Sequence, residues 1–130
     1  MHFIDFTTLT QLALASSRVT TPCSCTAVPL QAWTALPLTL ERDGFEDTGA
    51  LFEDPYDEPT FAEYHPHGTN YWSPDAPIAI QYFPYNRCAV QQCTVCRRYC
   101  LTYVEAGGYY VEPRIRALDV RHIVDAPVAD

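Results

Sequence analysis

Four of the six cysteines fall inside thirteen residues, in the spacing Cys88-x4-Cys93-x2-Cys96-x3-Cys100. A Cys-x2-Cys turn lets two thiolates converge on one ion while the amides between them point at the sulfurs, and Zn2+ takes four N or S ligands in a tetrahedron. Cys93-Thr94-Val95-Cys96 supplies two of these. Three pairs compete for the other two places: Cys23-Ser24-Cys25, His65-Pro66-His67, and Cys88 with Cys100. A hairpin turning at Thr94-Val95 sets Cys88 opposite Leu101, about 15 Å behind the tip at about 3.3 Å per residue. Cys88 and Cys100 therefore rank below the others as ligands and read as buried thiols or as partners of each other. The expected centre is a structural Zn2+ on Cys93 and Cys96, completed from Cys23, Cys25, His65 and His67.

Other chemistries compete for the same residues. Cys-x4-Cys-x2-Cys is also a plant-type ferredoxin spacing, but that pattern needs a fourth cysteine well downstream and none follows Cys100. Arg97 and Arg98 beside Cys96 offer the positive field that lowers a thiol pKa, which makes Cys93 and Cys96 candidates for thiol redox chemistry. Glu63, His65 and Asp75 would suit acid–base hydrolysis, yet no nucleophile motif accompanies them. No phosphate loop, Gly-x-Ser-x-Gly or His-Glu-x-x-His occurs.

The elements around the cysteines read as strands. Pro77–Tyr85 carries Ile78, Ile80, Tyr82 and Phe83 before the cluster, and Tyr99–Glu105 follows it. Over residues 82–111 the chain resembles the knuckle hairpin of zinc-ribbon and rubredoxin-like proteins, which implies a metal held at a hairpin tip. The resemblance covers less than a quarter of the chain. The family pattern carries Gly after the second Cys, where the backbone wants a positive φ, and Arg97 stands there.

Residues 5–17 form the first predicted helix, with Asp5, Thr7 or Thr8 as N-cap and Leu9, Leu12 and Ala13 on one face. Alternating Leu36, Leu38 and Leu40 predict a strand, and Asp43-Gly44 a turn. Phe45–Glu63 mixes aromatics with acids in no clean period and reads as a long ordered loop. Tyr64–Ala76 reads as an aromatic loop, and Gly107-Gly108 as the turn of a second hairpin. Glu112-Pro113 opens a short predicted helix to Leu118, with Arg114 and Arg121 on solvated faces. The expected fold is α+β: a small antiparallel sheet with a zinc-knuckle-like β-hairpin, an N-terminal helix and a short C-terminal helix. At 130 residues it is one domain, with 1–4 and 126–130 frayed.

The net charge of −8 is unevenly laid out. Glu41–Glu63 holds nine acids and one base, whereas Arg87–Arg121 holds six arginines against three acids. There is no lysine. Global acidity argues against phosphate backbones, whose affinity comes from cationic side chains, and favours a basic protein partner. The apolar run Leu9–Ala15 is too short to span a membrane and lacks a basic flank, so a cytoplasmic location is expected, where clustered cysteines read as ligands. The expected function is a non-enzymatic binding or adaptor protein, comparable with small bacterial immunity or inhibitor proteins. Its alternatives are thiol redox chemistry at Cys93 and Cys96, and nucleic-acid binding by the arginine-rich hairpin with stacking from Tyr99, Tyr103, Tyr109 and Tyr110.

Overall fold

The computed structural model describes residues 2–26, 29–37, 44–54, 56–106 and 111–128. The fold is α+β. One α-helix among the described residues, α1 (Phe6–Ser17), accompanies strands β1 (Thr34–Ala35), β2 (Phe45–Ala50), β3 (Ile78–Ala79), β4 (Ala89–Cys93), β5 (Tyr99–Ala106), β6 (Val111–Ala117) and β7 (Ile123–Val124). Five of them make an antiparallel sheet in the order β1-β6-β5-β4-β2, and β3 pairs separately with β7 in parallel.

The helix starts where a side chain can satisfy its free amides. Asp5 is the N-cap, and its carboxylate accepts the Thr8 N–H at 2.8 Å. Leu9, Ala13 and Ser16, spaced for one helical face, are buried. The Ser16 hydroxyl accepts the Tyr99 N–H at 3.0 Å, which fixes the last turn of α1 to the start of β5.

Strand alternation splits the sheet between two cores. Val90, Leu101 and Tyr103 join Ile4, Leu9, Ala13, Trp33, Ile78 and Leu118 in the main core. Cys93, Cys100 and Ile115 point into a second cluster with Cys25, Leu30 and Cys96. At about 25 cal/mol per Å2 of apolar area, each fully buried Leu or Ile contributes about 2 kcal/mol against its exposed state. A one-residue slip would exchange the two sets, so the register is strongly specified.

Several expectations change. Where a helix was expected from Glu112 to Leu118, the chain forms β6, paired with β5 from Cys100↔Ala117 to Ala106↔Val111. So short a helix is marginal by itself, whereas the strand completes a ladder and sends Ile115 and Arg116 to opposite buried faces. Phe45–Ala50, expected as loop, is the edge strand β2. Its exposed Glu46 and Asp47 hid the pattern, and such charges guard an open edge against strand addition. A register shift between Asp47 and Gly49 breaks the alternation further. Gly49 leaves room for residues 2–4, since a Cβ there would meet the His2 carbonyl and lie 2.7 Å from Ile4 Cδ1. Those first residues pair with the end of β2, through Ile4 N–H to Ala50 O and Ala50 N–H to His2 O, both 2.8 Å, and Ile4 is buried.

The expected strand over Pro77–Tyr85 is reduced to β3, followed by turns and a 3-10 turn at Tyr85–Arg87. Pro77 and Pro84 have no N–H to give a ladder. Near the C-terminus the Tyr82 hydroxyl donates to Pro127 O at 2.9 Å. Leu38, Leu40 and Asp43, and the Gly107-Gly108 turn, lie outside the described residues.

Candidate metal centre

Two distant segments build the site. The first follows α1, where a 3-10 turn at Ser24–Thr26 carries Cys23 and Cys25. The Cys23 carbonyl accepts both the N–H and the hydroxyl of Thr26, at 3.0 and 2.7 Å, which closes this turn. Arg98 holds the segment down by donating from Nη1 to Thr21 O at 2.9 Å and from Nη2 to Val19 O at 3.1 Å.

The second segment is the tip of the β4–β5 hairpin. The Cys93 N–H donates to Arg98 O at 2.8 Å, and the Arg97 N–H donates back to Cys93 O at 2.9 Å. These bonds enclose Thr94, Val95, Cys96 and Arg97. The tip is therefore two residues longer than a turn at Thr94-Val95 alone, and the register follows: Val90, not Cys88, lies opposite Leu101. Thr94 is anchored to Gly44 O by its N–H at 2.9 Å and its hydroxyl at 3.1 Å. Arg97 has φ 71°, the left-handed backbone that glycine adopts without cost. The positive φ is present although the glycine is not.

The Sγ atoms of Cys23, Cys25, Cys93 and Cys96 all lie within 4.8 Å of one another. Cys23 and Cys93 are 3.7 Å apart and Cys25 and Cys96 are 3.5 Å apart. Disulfide sulfurs stand about 2.05 Å apart, and all six cysteines are free thiols. Four sulfurs about 2.3 Å from one ion in a tetrahedron stand about 3.8 Å from each other. The observed spacing fits the second case. Cys25, Cys93 and Cys96 are buried and Cys23 is half-buried, so the group is reached from the Cys23 side.

Protonation in this group is shared. The Cys25 N–H, together with bonds to the neighbouring thiols, draws Cys23 down to about 7, whereas burial pushes Cys25 up. Packed thiolates repel one another in a medium that solvates them poorly. A divalent cation removes that conflict by holding each sulfur deprotonated. Four thiolates in this arrangement can hold a metal ion, and a soft, tetrahedral set suits Zn2+ or iron.

The remaining candidates lie elsewhere. His65 spends both ring nitrogens, Nδ1 on the Thr69 hydroxyl at 2.7 Å and Nε2 on Glu63 Oε1 at 2.8 Å. His67 is exposed. Neither joins the four-sulfur group. Cys88 is in the main core, where its thiol donates to Pro84 O at 3.2 Å and burial raises its pKa well above the ordinary value. Cys100 packs beside the group, and burial, with the charges of Cys93 and Cys96, pushes it up to about 12. A cavity of about 360 Å3 opens next to the site, touching Cys25, Cys93, Cys100, Leu30, Phe45 and Tyr99.

Sequence reasoning missed the part played by the arginines. Arg116 is fully buried and, among the described residues, donates only to neutral acceptors: Gln31 O at 3.1 Å, Pro74 O at 3.2 Å, Ala76 O at 2.9 Å and the Tyr85 hydroxyl. Arg114, expected on a solvated face, is partly buried and donates to Glu112 at 2.8 Å and to the hydroxyls of Tyr71 and Tyr103 at 3.1 and 3.3 Å. Arg121 is exposed and pairs with Asp119 at 2.7 Å. The one available signal was the absence of lysine, since only the guanidinium fork serves several fixed acceptors at once. No helix among the described residues is long and apolar enough to cross a membrane. No family model matches the chain, and neither does any curated protein or solved structure at a significant level.

Proposed function

We propose that this chain is a non-enzymatic binding protein, fastened by a structural Zn2+ on Cys23, Cys25, Cys93 and Cys96 in a knuckle-like hairpin, whose acidic surface engages a basic protein partner. The observation that carries the reading is the convergence of four sulfurs within 4.8 Å of one another, two pairs of them at 3.5 and 3.7 Å, from two segments far apart in sequence. With all four positions filled by thiolates, the ion has no open place for substrate, which is the mark of a structural site. The partner half of the reading rests on charge and exposure: Glu46, Asp47, Glu53, Asp54, Asp57 and Glu58 are all exposed, as are the rings of Tyr56, Phe61 and Trp72. Aromatic side chains among acids suit association with a cationic protein surface.

Elemental analysis of protein purified without chelator or histidine tag tests the metal half, with one zinc per chain expected. Iron, with its visible absorption bands, would replace zinc in this reading, and no metal at all would end it. Capture of partners at low and high salt tests the other half, because screening weakens contacts between exposed charges. Binding that is indifferent to salt would refute it.

The half-exposed Cys23, with its thiol near 7, favours thiol chemistry as a second reading, moved from Cys93 and Cys96, which are both buried. Fast alkylation of one cysteine in metal-loaded protein would support it; labelling that waits for chelator supports the structural ion. For the nucleic-acid alternative, Arg98, Arg114 and Arg116 donate to internal acceptors and Tyr103 is buried, which leaves it the exposed guanidinium of Arg97 at the hairpin tip.

A further inference from the structure

The loop after β2 and the turns before β4 border an open cavity of about 520 Å3. Apolar surface from Phe3, Phe52 and Ile80 lines it together with the exposed carboxylates of Glu53, Asp54 and Asp57. Its cation, Arg87, is already committed. That guanidinium donates to Pro59 O and Thr60 O, both at 3.1 Å, and to Asn86 Oδ1 at 3.2 Å, and lies 4.2 Å from the Phe61 ring centre and 4.8 Å from that of Phe83. None of the three carboxylates has an ion pair among the described residues. Asp54 accepts the Tyr56 N–H at 2.9 Å, which shapes the loop and leaves its charge in place.

The cavity therefore combines two unmet needs. Its carboxylates are in excess over cations, and exposed rings stand beside its lining residues: Tyr56 (90 %) is next in the chain to Asp57, and Phe61 (72 %) lies against Arg87. A bare cation would answer only the first, and an apolar molecule only the second. An arginine or lysine next to an apolar residue answers both, because its stem packs on apolar surface while its head reaches the carboxylates.

We propose that this cavity is the docking site for a basic amphipathic segment of a protein partner, whose apolar side chain enters the cavity and whose cation meets Glu53, Asp54 and Asp57. This rests on the acidic-surface reading above and narrows it to one place. A committed Arg87 also explains how the site tolerates a cation in its wall: the charge is held against carbonyls and aromatic faces and turned to shaping the loop.

The test uses the full zinc-loaded chain, 15N-labelled, titrated with a synthetic peptide of alternating arginine and leucine. A peptide of alternating arginine and glycine and the polyamine spermidine serve as comparisons. Expected are amide shifts at Phe52, Glu53, Thr60, Gln81 and Asn86 with the arginine–leucine peptide, and weaker binding of both comparisons. The triple variant Glu53→Gln, Asp54→Asn, Asp57→Asn should bind about tenfold more weakly, from three exposed charge contacts. Glu46→Gln with Asp47→Asn should bind as the parent does. All five side chains are exposed, and the melting temperatures should match. Shifts confined to β2 would overturn the cavity and leave the acidic-surface reading standing. Equal binding of all three probes would mean charge alone and overturn the amphipathic site. No binding by any probe would overturn both.

Discussion

Replacing Arg97 by glycine should leave the protein more stable than replacing it by alanine, although both changes delete a charged side chain from the turn beside two of the candidate ligands. Arg97 sits at φ 71°, where an L-residue bears about 1–2 kcal/mol of steric cost that glycine does not. Glycine gives back about 0.5–1 kcal/mol through the greater freedom of the unfolded chain. The loss of the exposed 3.9 Å pair between Arg97 and Glu46 is worth about 0–1 kcal/mol. Alanine at the same position loses that pair and keeps the Cβ, so the comparison of Arg97→Gly with Arg97→Ala isolates the backbone. The glycine variant should be the more stable by about 1 kcal/mol, or about 4 °C in melting temperature for a chain of this size. Thermal and urea unfolding of both zinc-loaded variants would measure it. A glycine variant equal to or less stable than the alanine variant would refute the left-handed turn.

Cys96→Ser and Cys25→Ser should each lower bound zinc well below one per chain and lower the melting temperature, while Cys100→Ser should keep full metal content; elemental analysis separates these outcomes. Arg116→Met should cost about 3 kcal/mol in urea unfolding, because the buried Ala76 carbonyl, the part-buried carbonyls of Gln31 and Pro74 and the Tyr85 hydroxyl lose their donor; a cost under about 1 kcal/mol would show that water replaces the guanidinium. The Thr8 N–H holds the Asp5 carboxyl below its ordinary 3.8. Its cap stabilisation should thus be complete above that value and fade as pH falls through the lower folded pKa. The loss should be absent in Asp5→Asn when helix content is followed by circular dichroism during acid titration.

Local signals in the sequence were readable where one residue type had one dominant physical use. Asp5 before a helical face, and the β4–β5 hairpin around Cys93-x2-Cys96, follow from neighbours in the chain. The choice of Cys23 and Cys25 over His65 and His67 was not local. It depends on Arg98 reaching the carbonyls of Val19 and Thr21 and on Glu63 and Thr69 taking up the His65 ring. The strand β6 was hidden because Glu112-Pro113 is a good helix opening, and only the partner strand β5 reverses that preference. Arg116 reads as a surface charge in any local window, and it is buried only because four acceptors from three other segments converge on it.

Cys23 is separated from Cys93 by 70 positions and Cys25 from Cys96 by 71. An ion at this site would be a cross-link over more than half the chain, comparable in loop-closure entropy with a disulfide of about 4 kcal/mol. Its two halves are nevertheless unequal. The hairpin pair is local and held by the sheet, whereas the pair after α1 is held by a 3-10 turn and two guanidinium bonds, with its outer sulfur half-exposed. Lifting of residues 19–26 would open the ion to a competing ligand while the sheet stayed whole. The dwell time of the ion and the lifetime of the folded state are then independent quantities: a chain that unfolds slowly can still exchange its metal quickly, at a rate set by one short segment.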